Sequence, residues 1–159
     1  MARAGFTLVE IVVVVLVIGI IAAMAFPSVL DWRDDAEVVA VAKHLQILAD
    51  ATDKFYVVNH RWPRNDFPGN LPADFQAYVH KNAFQGSPLG GQWDWNGPGS
   101  QINKIGPNIV VAGALNASQQ SAFLEIDQLL DDGNLTTGSV QQITYGSHRI
   151  LQFILIPSD

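Results

Sequence analysis

The chain contains no cysteine among its 159 residues, which excludes disulfide bonds and thiolate metal sites. Charged residues are also scarce, at 15% of the sequence compared with roughly 25% in a typical soluble domain. Basic residues are the rarer kind: 9 Lys and Arg stand against 15 Asp and Glu, and the formal net charge is −6. Because nucleic-acid binding depends on clustered Lys and Arg, no nucleic-acid partner is expected.

Long hydrophobic runs are missing from most of the sequence, with one exception near the start. Residues 11–26 form an unbroken apolar run of sixteen, counting Gly19. With Arg3 before it and a small-x-small sequence at residues 23–25, the run has the parts of a secretory signal peptide cleaved after Ala25. Residues 6–26 also approach the length of about 20 residues that a transmembrane helix requires. Both interpretations account for the apolar run.

Glu10 is the residue that neither interpretation explains. A carboxylate at the edge of the hydrocarbon costs on the order of a few kcal/mol, and such residues usually have a functional partner. In a filament of packed helices, the acid can pair with a positive group on a neighbouring subunit. The nearest candidate is a free α-amino group exposed by cleavage of the chain.

Residues 5–10, which read Gly-Phe-Thr-Leu-Val-Glu, resemble the processing motif of type IV prepilins and type II secretion pseudopilins. The resemblance implies that residues 1–5 are a leader and that a prepilin peptidase cuts between Gly5 and Phe6. It also implies methylation of the new N-terminal Phe6 and pairing of Glu10 with the Phe6 amine of a neighbouring subunit. Pro27 falls where the family has a proline, and its functional interpretation is a helix that can bend or unwind there during assembly.

Helical periodicity continues beyond the apolar run. Apolar positions recur at alternating steps of three and four along one face of an amphipathic helix over residues 27–58. They are Val38, Val41, Leu45, Leu48, Thr52 and Phe55. The pattern predicts one long helix over residues 6–58, or two helices with a break at Pro27, because proline removes a backbone donor and clashes with the preceding turn.

Residues 59–159 read as a globular head. A short helix is predicted over residues 73–79, and Trp93 and Trp95 share one face of an extended segment, where a place in the core is favoured over a sugar-binding surface. A buried strand is predicted over residues 109–112. Asn116 or Ser118 could cap a second helix, and a hairpin is predicted over residues 140–145 and 149–156. The fold class is therefore α+β, and the resemblance likewise implies a small antiparallel sheet packed on the C-terminal half of the long helix.

No catalytic constellation is present in the sequence, so a non-enzymatic protein is predicted. The sequence does contain a candidate cation-binding cluster in an acidic loop around Gly133. Its residues are Asp127, Asp131, Asp132 and Asn134. Hard cations such as Ca²⁺ take several oxygen ligands from one compact loop, although acidic loops are also common as solvated surface. The resemblance implies calcium, because major pseudopilins hold it in a C-terminal loop.

The expected function is that of a subunit of a type II secretion pseudopilus that supports protein secretion. A type IV pilus subunit is the alternative, and an exported soluble binding protein released after Ala25 is a second one. The expected location is the bacterial inner membrane, with a single pass and the head in the periplasm. The expected partners are further copies of the chain, other pilin-like subunits, the prepilin peptidase, an inner-membrane assembly platform and the lipid bilayer.

Overall fold

The computed structural model describes residues 7–155, apart from the side chains of residues 25–34. Its elements follow the order α1 Leu8–Asn59, β1 Gln92–Asn96, β2 Gly106–Ala112, α2 Ala117–Leu130, β3 Val140–Tyr145 and β4 His148–Phe153. A long N-terminal helix and a small antiparallel sheet are both present. The predicted α+β class is confirmed.

The chain divides into two compact units, Met1–Ala36 and Glu37–Asp159. In the first unit, the apolar side chains of α1 are exposed around the helix, including those of Val12, Val13, Leu16, Ile20 and Ile21. Within the part of the chain that the structure describes, no helix combines the length and the hydropathy needed to cross a membrane. The backbone is helical at position 27, while the side chain of Pro27 lies outside the described residues.

The second unit is built on the amphipathic part of α1. All six residues of the predicted stripe are buried, with at most 4% exposure, which confirms the helical periodicity. The five apolar members of the stripe pack in one hydrophobic core with residues of the sheet and of α2, among them Trp93, Trp95, Ile109, Phe123, Ile126 and Leu151. Burial of the two indoles in this core rules out the sugar-binding surface considered for Trp93 and Trp95.

The four strands form one antiparallel sheet in the order β1-β2-β4-β3. Alternation along each strand divides the side chains between two faces. Trp93, Ile109 and Leu151 occupy one register row on the core face. Asp94, Asn108 and Gln152 occupy the adjacent row, whose side chains point to the opposite face.

Several predicted elements differ from those in the structure. The predicted helix over residues 73–79 is wrong, because the segment consists of successive turns in which Phe75 and Tyr78 donate backbone hydrogen bonds three residues back, at 2.9 and 3.0 Å. The buried ring of Phe75 is anchored in the core, so tertiary contacts fix this segment without a regular helix. Strand β2 begins at Gly106, earlier than predicted, and β4 ends at Phe153, earlier than predicted. The predicted boundaries at residues 5, 26 and 58 stay predictions.

Candidate functional site

The first turn of α1 contains a reciprocal set of hydrogen bonds between Thr7 and Glu10. The Thr7 backbone N–H and hydroxyl donate to Glu10 Oε2 at 2.8 and 2.9 Å, and the Glu10 backbone N–H donates to the Thr7 hydroxyl at 3.3 Å. This is the arrangement of a capping box, in which residues three apart satisfy backbone donors at a helix N-terminus. Glu10 therefore has a partner within its own chain.

The capping role of Thr7 was missed in the sequence, although its signal was available. Thr followed by Glu three residues later, directly before an apolar run, is the capping-box pattern. Of the other predicted N-terminal residues, Gly5 and Phe6 lie outside the described residues, as does the side chain of Pro27. The predicted cleavage, methylation and assembly roles of these three residues stay predictions.

The second candidate site involves α2 and the loop that follows it. Asn116 caps this helix: its side chain accepts from the backbone N–H of Gln119 at 2.8 Å, and the Gln119 side chain accepts from the Asn116 backbone N–H at 3.1 Å. Of the two predicted caps, Asn116 is therefore the one used. At the other end, the Asp131 N–H donates to the carbonyl of Asp127 at 2.7 Å, so the two carboxylates lie one helical turn apart.

Asp127, Asp131 and Asp132 converge at this end of α2. Each offers an oxygen, and these atoms all lie within 4.8 Å of one another. Asp127 is fully buried, and neither of its carboxylate oxygens has a hydrogen-bond partner. Burial raises the pKa of Asp127, and the neighbouring charges of Asp132 and Asp131 raise it further. Without a cation, the ionised form of this carboxylate is therefore disfavoured.

The two exposed aspartates of the cluster also organise the loop. Asp131 accepts from the backbone N–H groups of Ser139 and Val140, which ties the end of α2 to the start of β3. Asp132 accepts from the Asn134 backbone N–H at 2.9 Å and from the Thr137 hydroxyl at 2.7 Å. These two hydrogen bonds lower the pKa of Asp132, so its carboxylate is held in the ionised form.

Asn134 is used inside the loop itself. Its side-chain oxygen accepts from the backbone N–H and the hydroxyl of Thr136, at 3.2 and 2.7 Å. The structure therefore brings the three predicted aspartates together and engages the predicted asparagine in a local turn.

The residues present fit a hard cation. Carboxylate oxygens are the ligands that Ca²⁺ prefers, and three of them converge here. Asp127 provides the stronger indication of a cation, because burying an ionised carboxylate without hydrogen bonds costs free energy unless a positive charge lies beside it. A divalent cation held by Asp127, Asp131 and Asp132 would satisfy both oxygens of Asp127 and offset the repulsion among the three carboxylates.

A family model described as the prokaryotic N-terminal methylation motif matches residues 1–26. The type II secretion system core protein G of Pseudomonas aeruginosa is 38% identical over 61 residues, which are 38% of this chain and 43% of that protein. The protein of the same name from Escherichia coli is 32% identical over 59 residues, 37% of this chain and 41% of the relative. The type IV major pilin protein PilE1 of Neisseria gonorrhoeae is 32% identical over 62 residues, 39% of this chain and 38% of the pilin.

The matched segments thus span less than half of each of these relatives. No solved structure is a significant match to the chain.

Proposed function

We propose that this pilin-like chain is a structural subunit of a type II secretion pseudopilus and has no enzymatic role. The observation that carries the proposal is the methylation motif over residues 1–26, which overlaps the start of α1, where the described apolar side chains are exposed in the single chain. Exposed apolar surface of this extent is a mark of contact with a membrane or another protein. Core protein G of type II secretion systems is among the relatives.

Processing precedes assembly in this proposal. The precursor is held in the bacterial inner membrane by residues 6–26, with Arg3 on the cytoplasmic side and residues 59–159 in the periplasm. The prepilin peptidase cuts between Gly5 and Phe6, and the new amino group of Phe6 is methylated. The subunit then enters the filament through an inner-membrane assembly platform, beside further copies of the chain and other pilin-like subunits.

Glu10 sets the register of each added subunit. Its carboxylate neutralises the Phe6 amine of a neighbour, since an unpaired charge is costly among packed apolar helices. In the single chain, Thr7 holds the carboxylate at the start of α1, where it is already placed before a partner arrives. Pro27 provides a point at which the helix can bend or unwind during assembly.

Calcium is the proposed ligand of Asp127, Asp131 and Asp132. Bound there, it would neutralise the buried Asp127 and fix the end of α2 against the loop that leads into β3. The chain has no cysteine, so no disulfide is available to hold this part of the head. Asn134 can be a further ligand only if its side-chain oxygen gives up its hydrogen bonds with Thr136.

A type IV pilus subunit, serving adhesion, twitching motility or DNA uptake, is the second candidate. The similarity to PilE1 favours it, while the absence of cysteine and the acidic loop favour the pseudopilus. Deletion of the gene in its source bacterium separates the two. Folded exoproteins retained in the periplasm, with surface pili intact, are expected for the pseudopilus subunit, whereas loss of surface pili with normal secretion would support the pilus.

The processing step is tested by mass spectrometry of the mature N-terminus in membrane fractions. A chain that begins with N-methylated Phe6 is expected. A chain that begins at Phe26 would establish the exported soluble protein in its place. A membrane protein that retains residues 1–5 would overturn the proposed assembly, because the Phe6 amine would then never be free.

A further inference from the structure

A row of polar side chains crosses the face of the sheet that points away from the core. Asp94 on β1, Asn108 on β2 and Gln152 on β4 are register neighbours. They are buried, with exposures of 5%, 0% and 0%. Polar residues on the outer face of an antiparallel sheet are ordinarily solvated, so burial of the whole row requires an explanation.

Some of the polar groups in this row have hydrogen-bond partners within the protein. Gln152 donates to the carbonyl of Gly106 at 2.8 Å and accepts from the Asn96 side chain at 2.6 Å. The Asn108 amide makes a long contact to Asp94 Oδ2 at 3.4 Å. The Gln152 end of the row is therefore well hydrogen-bonded, and the Asp94 end is not.

Three buried oxygens at the Asp94 end have no donor. They are Asp94 Oδ1, Asn108 Oδ1 and Ser100 Oγ. A buried acceptor without a partner costs about 1–3 kcal/mol, and more when it is charged. Desolvation, opposed by hydrogen bonds from Trp95 and Asn108, raises the pKa of Asp94 to about 6, and the charge of Asp66 adds to the effect. What this end of the row lacks is a hydrogen-bond donor that carries positive charge.

Asp94 and Ser100 belong to the wall of a cavity of about 390 Å³. Strand residues of the outer face line it together with residues 65–68 and 99–102. The volume falls within the range of about 300–1,000 Å³ that is usual for ligand pockets and is ample for one long side chain.

The lining of the cavity combines acids with aromatic rings. Asp66 and Asp94 supply the carboxylates, and no Lys or Arg is among the lining residues that the structure describes. Phe67 and Tyr145 are aromatic, and they are 78% and 44% exposed. His148 also lines the cavity. Exposed aromatic faces attract cations through their quadrupole, so carboxylates and rings favour the same kind of ligand.

We propose that this cavity binds an alkylammonium or guanidinium group, as carried by a lysine or arginine side chain of a polypeptide. The charged head donates to Asp94 at the base of the cavity, where Ser100 supplies a further acceptor. The aliphatic stem lies against Phe67 and Tyr145, and Asp66 adds negative charge. Neither the N-terminal motif nor the aspartate cluster after α2 takes part.

The test uses the full chain in detergent micelles and two probes, N-acetyl-lysine N-methylamide and its arginine counterpart. N-acetyl-norleucine N-methylamide is the neutral control with a similar stem. Saturable amide shifts at residues 65–67, 94–96 and 99–102 are expected in ¹H–¹⁵N spectra with the charged probes and not with norleucine. Absence of such shifts with both charged probes, or equal shifts with norleucine, would overturn the proposal and leave water as the partner of the buried oxygens.

Two variants locate the site. Asp94→Asn keeps the shape and removes the charge, and is expected to weaken probe binding by about tenfold or more, the value of a charge-assisted hydrogen bond. Phe67→Ala removes an exposed ring, leaves the core intact and should weaken binding about threefold. Asp53→Asn, at an exposed position of α1, changes net charge equally and should leave binding unchanged. Equal affinities for Asp94→Asn and Asp53→Asn would contradict the assignment.

Sedimentation of the same full-length variants identifies the source of the basic group. Weaker self-association of Asp94→Asn than of Asp53→Asn would assign the group to a second copy of this chain. Equal self-association, together with weakened probe binding, would assign it to a different polypeptide.

Discussion

Thr7 and Glu10 form reciprocal hydrogen bonds at the first turn of α1. The Glu10 carboxylate accepts from the backbone N–H and the hydroxyl of Thr7, and the Glu10 backbone N–H donates to the Thr7 hydroxyl. Glu10, which is proposed to pair with the amino group of a neighbouring subunit, is thus also part of a helix cap. The two roles place different demands on the side chain. Capping requires an acceptor, which Gln also provides, whereas pairing with an amine requires charge.

Glu10→Gln separates these roles. If pairing sets assembly, Glu10→Gln and Glu10→Ala should both be processed normally and both fail to form filaments, since losing one partner of a buried ion pair costs on the order of 3 kcal/mol at each contact. Thr7→Val, which removes the hydroxyl, should assemble almost normally. Filament yield in sheared fractions, with processed monomer as the internal reference, measures all three. Normal yield from Glu10→Gln would show that the charge of Glu10 is not needed for assembly.

Removal of calcium should destabilise the second unit. A ligand at about one hundred times its dissociation constant stabilises the folded state by about 2.7 kcal/mol, so the melting temperature should fall when EGTA replaces calcium. Asp127→Asn should abolish that difference. In EGTA the same variant should equal or exceed the parent in stability, because it removes a buried carboxylate that has no partner.

Glu125→Gln is the matched control for the calcium measurement, since Glu125 lies on α2, bonds to Ser121 and is not a member of the aspartate cluster. It should keep the full response to calcium. Identical melting of the parent chain in calcium and in EGTA would contradict a calcium site.

Gly138 is expected to be intolerant of a side chain. Its φ is +71°, and a Cβ there would collide with the Asp131 carboxylate, which holds the backbone of Ser139 and Val140. Gly138→Ala should lower the free energy of unfolding by about 2 kcal/mol or more, combining backbone strain with loss of these hydrogen bonds.

Gly146→Ala provides the comparison for Gly138. Gly146 has a φ of +56°, and the space that a Cβ would occupy there is open, so only the backbone cost of about 1 kcal/mol applies. Urea denaturation of both variants measures the difference. Equal losses would mean that Asp131 does not occupy the position described.

Asp94 should make the second unit less stable as the pH rises. Its pKa of about 6 in the folded state exceeds the ordinary 3.8, so the folded state binds the proton more tightly, and stability falls from about pH 4 through about pH 6. The full change corresponds to about 3 kcal/mol. The difference in unfolding free energy between the parent chain and Asp94→Asn, measured from pH 4 to 7.5, isolates this effect from Asp127. A difference that does not change with pH would contradict the burial of an ionisable Asp94.

The long helix could be predicted from the sequence because its cause is local. A three-and-four spacing from Val38 to Phe55 defines one apolar face, and all six residues of that face are buried. The aspartate cluster was predictable for a related reason: Asp127 and Asp131 are one turn apart on a helix, and Gly133 permits the chain to turn back. The failed helix over residues 73–79 shows the limit, since the place of Phe75 in the core determines that segment.

The N-terminal motif, the apolar and amphipathic parts of α1 and the residues of the acidic loop follow from the amino-acid sequence alone, because each depends on neighbours within a few positions along the chain. The burial of Asp127 within its cluster, and the position of Asp94 in a cavity with Asp66, Phe67 and Tyr145, instead depend on the folded arrangement of the chain. Strand register and loop placement join residues far apart in sequence, and burial follows from how those distant segments pack. No local pattern contains that information.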